Sequence, residues 1–489
     1  MKISRNINSL PNELLSKIFL LAISPQGAHT DLCRLILVCR LWKEHVEDSA
    51  LLWVDISARG GRAYVRRALE KSKASMINLH YPAYSEPHIE LGSFMTEAGP
   101  HIARWRSLEI TTRQSPPQSL ERTLGPLTTA QAPSLESLWL SLSARGHSVS
   151  RNTITLFNGA SAPSTLKYLT LDRAQVALEP LGLSSLVSLI LSRVSNVSTT
   201  QILQIVRNSP WLETLSLEAN PGLVGIGSQL SAIPPIALPK LGTLTLEWID
   251  HEGANCILST IRIPNRRCVY ICDDFSEVSA PSVLLTPTIA HILDTTIPNP
   301  DPQFFDIKVK VEDYDGCTVQ VRGMDLELYV DGEHQIQEIL GWLAEGLRSE
   351  AAACPVQLTL DCSDMDPVRL VEVPSPLVIK QLSISESLLR SLLQSPRVAM
   401  FQPPKPTSSG SLLAQVENLS VKFGTIESQE EFIAVLRGRY EEATSGKETE
   451  SEGPMTLKSV ELRGRPRAEG LVEKLRGILV EVNVFWDSE

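Results

Sequence analysis

The sequence predicts an α/β protein: three short helices at the N-terminus, then a stack of strand-and-return repeats sharing a curved parallel sheet. Three observations carry this expectation. Apolar residues recur at helical spacing through residues 1–56, and a Leu-x-x-Leu-x-Leu pattern returns along residues 135–246. The chain is also rich in leucine, while aromatics make up only 5% of it. Many leucines with few aromatics suit an interior of many similar layers better than one large core.

The helical part starts at Pro11, which suits a first helical turn because its missing N–H would have no partner there. Glu13 places a negative charge where the helix dipole favours one. Leu14, Leu15, Ile18, Phe19 and Ala22 form an apolar stripe, and Ser24, Pro25 and Gly27 break the helix. Thr30 is expected to cap a second helix, with Asp31 in its first turn and Leu32, Leu35 and Ile36 on its apolar side. A third segment runs through Leu41, Trp42 and Val46, followed by an apolar tail of Leu51, Leu52, Trp53 and Ile56. So small a module buries little surface alone, so an apolar partner surface is expected.

These residues carry a resemblance. Leu10-Pro11-Asn12-Glu13-Leu14-Leu15, Ile18-Phe19, Val38-Cys39-Arg40-Leu41-Trp42 and Leu52-Trp53 resemble, in order and spacing, the pattern of an F-box. The resemblance implies a three-helix module that docks on a Skp-type adaptor and, through it, on a cullin scaffold. It implies adaptor-binding roles, direct or supporting, for Leu10, Pro11, Leu14, Ile18, Phe19, Val38, Cys39 and Trp42. Some of these, Trp42 above all, also read as internal core. The stretch Tyr64 to Leu79, with Leu69-Glu70-Lys71-Ser72, and then Arg104-Trp105-Arg106-Ser107-Leu108, is similar to F-box proteins common in mushroom-forming fungi.

The repeat appears at Leu135-Leu138-Leu140, Leu166-Leu169-Leu171, Leu186-Leu189-Leu191, Leu212-Leu215-Leu217 and Leu241-Leu244-Leu246, with a degenerate copy at Trp105-Leu108-Ile110. Successive copies lie 30, 31, 20, 26 and 29 residues apart. Each reads as a strand with alternate leucines pointing inward, then a turn and a variable helical return, of which Thr200 to Asn208 is one. These copies resemble leucine-rich repeats imperfectly. Only the copy at Leu212 has an asparagine, Asn220, at the buried ladder position; the others carry Ser143, Ala174, Val194 and Ile249.

Beyond residue 260 the pattern fades. Phe305 to Val311 and Thr318 to Val321 alternate like strands around the hairpin signal Asp313-Tyr314-Asp315-Gly316. A helix is expected over Ile336, Ile339, Leu340, Leu343 and Leu347. Further copies read at Ile379-Leu382-Ile384, Val416-Leu419-Val421 and Leu457-Val460-Leu462. Pro403 to Ser411 and Ala443 to Pro454 have too little apolar content to fold. The expected organisation is residues 1–56 as the helical module, 57–100 as a helical bridge and 101–489 as the solenoid. Residues 303–489 are degenerate, with a separate small α/β domain as the alternative reading.

Charge narrows the partners. A net charge of -11 disfavours nucleic acid, whose phosphates need a basic surface. The basic stretch holding Arg62, Arg66, Arg67 and Lys71 reads as a solvated helix face. Arg463-Gly464-Arg465-Pro466-Arg467 resembles the core of an AT-hook but stands between a strand-like run and a helix in an acidic chain, so no nucleic-acid role is assigned to it. The apolar run Ile18 to Ile23 is too short for a bilayer, so no membrane is expected. Eight scattered cysteines fit a reducing compartment, cytoplasmic or nuclear or both.

No catalytic motif is found, and neither enzyme activity nor a cofactor is expected. Gly225-x-Gly227 reads as a loop. His251, Cys256, Cys268 and Cys272 lack a Cys-x-x-Cys hook and read as apolar packing, and Asp361, Asp364 and Asp366 as a solvated turn. The expected function is that of a receptor holding an unknown target protein for a ligase of the SCF type. Residues between the inward leucines point outward, and Trp139 and Tyr168 are singled out as target-binding anchors.

Overall fold

The computed structural model describes residues 7, 10–24, 27–82, 88–112, 120–142, 153–224, 234–262, 268–272, 305–311, 316–322, 326–331, 356–361, 379–385, 418–423, 459–464 and 481–486. The chain forms two compact units, residues 1–241 and 242–489.

The first unit opens with α1 (Asn12–Ala22), α2 (Ala28–Val38) and α3 (Arg40–Asp48). Pro11 caps α1, and its carbonyl accepts from the Leu14 and Leu15 amides at 3.0 and 3.1 Å. The second helix departs from expectation: it starts at Ala28 behind Gly27, so Thr30 lies inside it. Asp31 instead reaches back to accept from the Ser24 amide and hydroxyl, both at 3.1 Å, and so ties down the turn between α1 and α2. Leu15, Phe19, Leu32 and Val46 are buried between the helices. Leu52 and Trp53 continue that core into β1 (Asp55–Ser57).

Next come α4 (Gly61–Lys71), β2 (Ile77–Tyr81), α5 (Leu91–Ala98), β3 (Trp105–Thr112), α6 (Leu120–Thr123), α7 (Gly125–Thr129), β4 (Ser137–Leu142), β5 (Tyr168–Asp172), β6 (Ser188–Ser192), α8 (Thr199–Asn208), β7 (Thr214–Glu218) and β8 (Ile236–Ala237). The segment 57–100, expected to be a helical bridge, therefore contains β2 as well as two helices. Ile77, Leu79 and Tyr81 are buried with Asn78 and His80 between them, a period of two that marks a strand.

From β1 to β7 all pairings are parallel, and the inward residues fall into rows. Ile56, Leu79, Leu108, Leu138, Leu169, Leu189 and Leu215 are successive partners, none more than 1% exposed. A second buried row runs Ile110, Leu140, Leu171, Leu191 and Leu217. The return segments cover this face with a second apolar layer, including Leu127, Phe157, Leu181 and the α8 residues Ile202, Leu203 and Val206. Ser198 and Gln201 close α8 in a reciprocal capping box.

Three of these strands end alike. Arg173, Arg193 and Ala219, the residues after β5, β6 and β7, have φ of 54°, 56° and 48°. The left-handed residue turns the chain while its amide keeps the ladder going: Arg173 N donates to Ser192 O and Arg193 N to Glu218 O, both at 2.8 Å. Behind this turn Asn220 is fully buried, donating to Leu191 O at 2.9 Å and accepting from the Val194 amide at 2.8 Å.

The second unit contains β9 (Thr243–Glu247), α9 (His251–Thr260), β10 (Ile261–Arg262), β11 (Cys268–Cys272), β12 (Phe305–Val311), β13 (Gly316–Arg322), β14 (Leu326–Asp331), β15 (Val356–Asp361), β16 (Ile379–Ser385), β17 (Asn418–Phe423), β18 (Ser459–Gly464) and β19 (Glu481–Trp486). Strands β12, β13 and β14 pair antiparallel, as the Asp-rich hairpin signal anticipates, although residues 312–315 lie outside the described set. The remaining pairs are parallel: β9 with β11, β11 with β14, β12 with β15, and β15 through β19 in sequence. Leu382, Leu419 and Val460, from the expected degenerate copies, are successive partners and buried. Leu244 belongs to this unit and pairs with Val269. The expected helix over 336–347, the Gly225–Gly227 loop, and residues 403–411 and 443–454 lie outside the described residues, as do Asp364 and Asp366.

Candidate docking surfaces

Helix spacing divides α1 into two faces. Leu15 and Phe19 point into the core, while Leu14, Ile18 and Leu21 are 45%, 38% and 88% exposed. Around the turn from α2 to α3, Leu37, Val38 and Leu41 are 83%, 57% and 40% exposed. Large apolar side chains gathered on so small a helical module mark an interaction surface.

Of the residues expected to meet an adaptor, Pro11, Leu14, Ile18 and Val38 are exposed, and Leu10, Cys39 and Trp42 half-buried. Phe19 is fully buried, its ring 4.7 Å from that of Trp42 and 5.7 Å from His45. It supports the surface from beneath. Leu20, Leu21, Leu37, Leu41 and Leu51 are exposed as well and stand outside the adaptor-binding set expected from sequence. A helical-wheel count from Leu14 would have reached Leu21, seven residues on.

The helices are locked to the sheet. Trp53, 2% exposed, donates its indole N–H to Val46 O at 2.7 Å, one of the last-turn carbonyls of α3 that lack a helical partner. Trp105 repeats the arrangement seven residues beyond Ala98 in α5, at 3.2 Å. Tyr64 of α4 packs 6.2 Å from Trp53 and 5.8 Å from His29, and burial raises its phenol pKa. The basic face of α4 is ion-paired: Arg62 and Arg66 hold Glu97 at 2.7 and 2.8 Å, and Arg67 and Lys71 hold Glu47. Hydrogen bonds from Arg66 and Arg62 pull the Glu97 carboxyl down to about 2.

Residues 7–59 match the F-box-like family. F-box domains as a class bind Skp-type adaptors. The match covers the three helices, the turn carrying Trp53 and the first strand of the sheet. No curated protein matches the chain.

The second surface is the outward face of the sheet in the first unit. There Ser57, His80, Glu109, Trp139, Thr170, Ile190 and Ser216 are successive partners along one row. The next outward row is Thr111, Ser141, Asp172, Ser192 and Glu218. These rows floor a cleft of ≈ 770 Å³ that reaches from Ser57 on β1 to Glu218 on β7. Trp139 lies in it at 46% exposure; Tyr168, equally exposed, sits one row further from it.

The cleft is charged in an ordered way. His80 Nδ1 lies 3.0 Å from Glu109 Oε2, and that bond lowers the Glu109 pKa against the opposing effect of burial. Ser141 and Ser192 donate to Asp172 and Glu218 at 2.7 and 2.9 Å. Arg193 pairs with Glu218 at 2.7 Å and lies 3.8 Å from Asp172 Oδ1. Sequence reading missed these polar residues, although Ser141, Asp172, Ser192 and Glu218 each stand one place beyond the second buried leucine of its strand, Leu140, Leu171, Leu191 or Leu217.

Among the described residues no group of three His, Cys, Asp or Glu side chains is placed to hold a metal ion, and no helix is long and apolar enough to cross a membrane. Cys256 is buried in α9, and Cys268 and Cys272 both lie on β11. Arg463 and Gly464 lie in β18, paired with Phe485 and Trp486.

Proposed function

We propose that this chain is the substrate-recognition subunit of an SCF-type cullin-RING ubiquitin ligase, itself without catalytic activity. It docks on a Skp-type adaptor through Leu10, Pro11, Leu14, Ile18, Val38 and Trp42, with Phe19 and Cys39 supporting them. A target protein is held on the outward face of a degenerate leucine-rich-repeat-like solenoid, with Trp139 and Tyr168 as anchors. The observation that carries this reading is the F-box-like match over helices that leave Leu14, Ile18, Leu37 and Val38 exposed. The leucine rows shared by parallel strands favour a repeat scaffold.

The test is co-purification of the full chain with a Skp-type adaptor. Leu14→Ala with Val38→Ala, both at exposed sites, removes two anchors worth ~2 kcal/mol each and is expected to abolish recovery. Undiminished recovery from a folded double variant would overturn the docking assignment. A second reading, a scaffold that binds the adaptor without delivering a target, is separated by whether the recovered complex contains a cullin and ubiquitylates a bound protein.

A further inference from the structure

The cleft over the outward face has a chemistry that narrows its occupant. Its floor crosses the strands from β1 to β7, and at ~4.8 Å per strand spacing that is about 29 Å, the reach of some eight or nine extended residues. A long, open floor of this kind suits an extended segment better than a compact molecule. Three carboxylates line it, Glu109, Asp172 and Glu218, against two guanidinium groups, Arg59 and Arg193, in a chain of net charge -11. Arg193 is already committed to Glu218 at 2.7 Å. Asp172 Oδ1 is a buried atom with no hydrogen-bond donor, its nearest cationic neighbour being Arg193 at 3.8 Å. Beside these acceptors stands the exposed Trp139, whose direct partner across the ladder is Glu109. An indole face next to carboxylates is a receptor for a cationic side chain, through ring quadrupole and charge together.

We propose that this cleft binds an extended basic segment of a target protein, with a Lys or Arg side chain laid over Trp139 and attracted by the charge of the partly exposed Asp172 carboxylate. The proposal rests on the reading of this face as the receptor surface and gives that surface its substrate class. Nucleic acid is disfavoured by the same carboxylates.

The experiment is an array of random decapeptides probed with the full-length chain. Bound peptides should be enriched in Lys and Arg and depleted in Asp and Glu. Asp172→Asn and Glu218→Gln keep an oxygen that can accept from Ser141 and Ser192 while removing the charge, so each tests charge with the hydrogen bond retained. Each, and Trp139→Ala, should weaken the best basic peptide about tenfold, as expected for one charge or cation–π contact. No captured peptides, enrichment in acidic or apolar peptides, or basic enrichment that survives Asp172→Asn with Glu218→Gln would each overturn the proposal. The array contains no adaptor. Failed peptide capture with intact adaptor recovery therefore counts against this inference alone, and lost adaptor recovery with intact capture counts against the ligase reading alone.

Discussion

Asn220 shows how much one side chain contributes to the turns of this sheet. Its amide group satisfies Leu191 O and the Val194 amide, two backbone groups left behind by the left-handed turn at Arg193. Both bonds are buried, so removing the side chain leaves two groups without partners and without water. Asn220→Ala is expected to destabilise the first unit by ~3 kcal/mol, read as a lower urea midpoint. A loss below about 0.5 kcal/mol would mean that water replaces the amide there. A different polar residue does related work two strands earlier: Gln175, 4% exposed, accepts from the Ser195 amide at 3.0 Å. Asn220 could be singled out by counting from Leu212, whereas Gln175 could not, because it stands one place later in its copy than Asn220 does.

At the scale of elements, α4 and α5 are joined by a carboxylate between two guanidinium groups. Glu97 has its pKa lowered to about 2 from an ordinary 4.5, so the folded state binds its proton less readily than the unfolded chain. The stabilisation from this contact is therefore full above pH 4.5 and is lost as pH falls toward about 2. Arg62 and Arg66 are 56% and 59% exposed, so added salt will weaken the effect. Unfolding midpoints should fall less steeply from about pH 5 to about pH 3 in Glu97→Gln than in the unaltered chain. Equal slopes would show that the contact does not hold the two helices. The strands illustrate what sequence alone can reveal. Leu138, Leu169, Leu189 and Leu215 were legible because a period of two inside a recurring pattern has few other readings. Strands β1 and β2 were not, since Ile56, Ile77 and Leu79 follow no leucine repeat and sit beside strong helical signals. The carboxylate cleft was illegible for another reason: Glu109, Asp172 and Glu218 are far apart in sequence and converge only through strand register.

At the scale of the whole first unit, the helical module and the sheet share one core. Trp53 belongs to both, packed on Tyr64, overlaid by Arg67 at 5.4 Å and bonded to α3. A fragment ending at residue 59 would strip Leu52, Trp53 and Ile56 of their cover. Such a fragment is expected to give a poorly dispersed amide spectrum, and one extended through β3 to residue 112 a dispersed one. A well-dispersed spectrum from residues 1–59 alone would show that the module folds independently.

The pairing of β1 with β2 has a mechanical meaning. Ile56 ends the segment that follows the three helices and begins the row that leads to Leu138, next to Trp139. Three strand spacings separate them, about 14 Å of hydrogen-bonded sheet. The exposed helices thus lie toward one end of this hydrogen-bonded run of strands and Trp139 at the other. A protein gripped at one end would be carried at a distance set by that run from whatever grips the other. Which of its lysines came within range would then depend on the length of the run, a quantity set by counting strands.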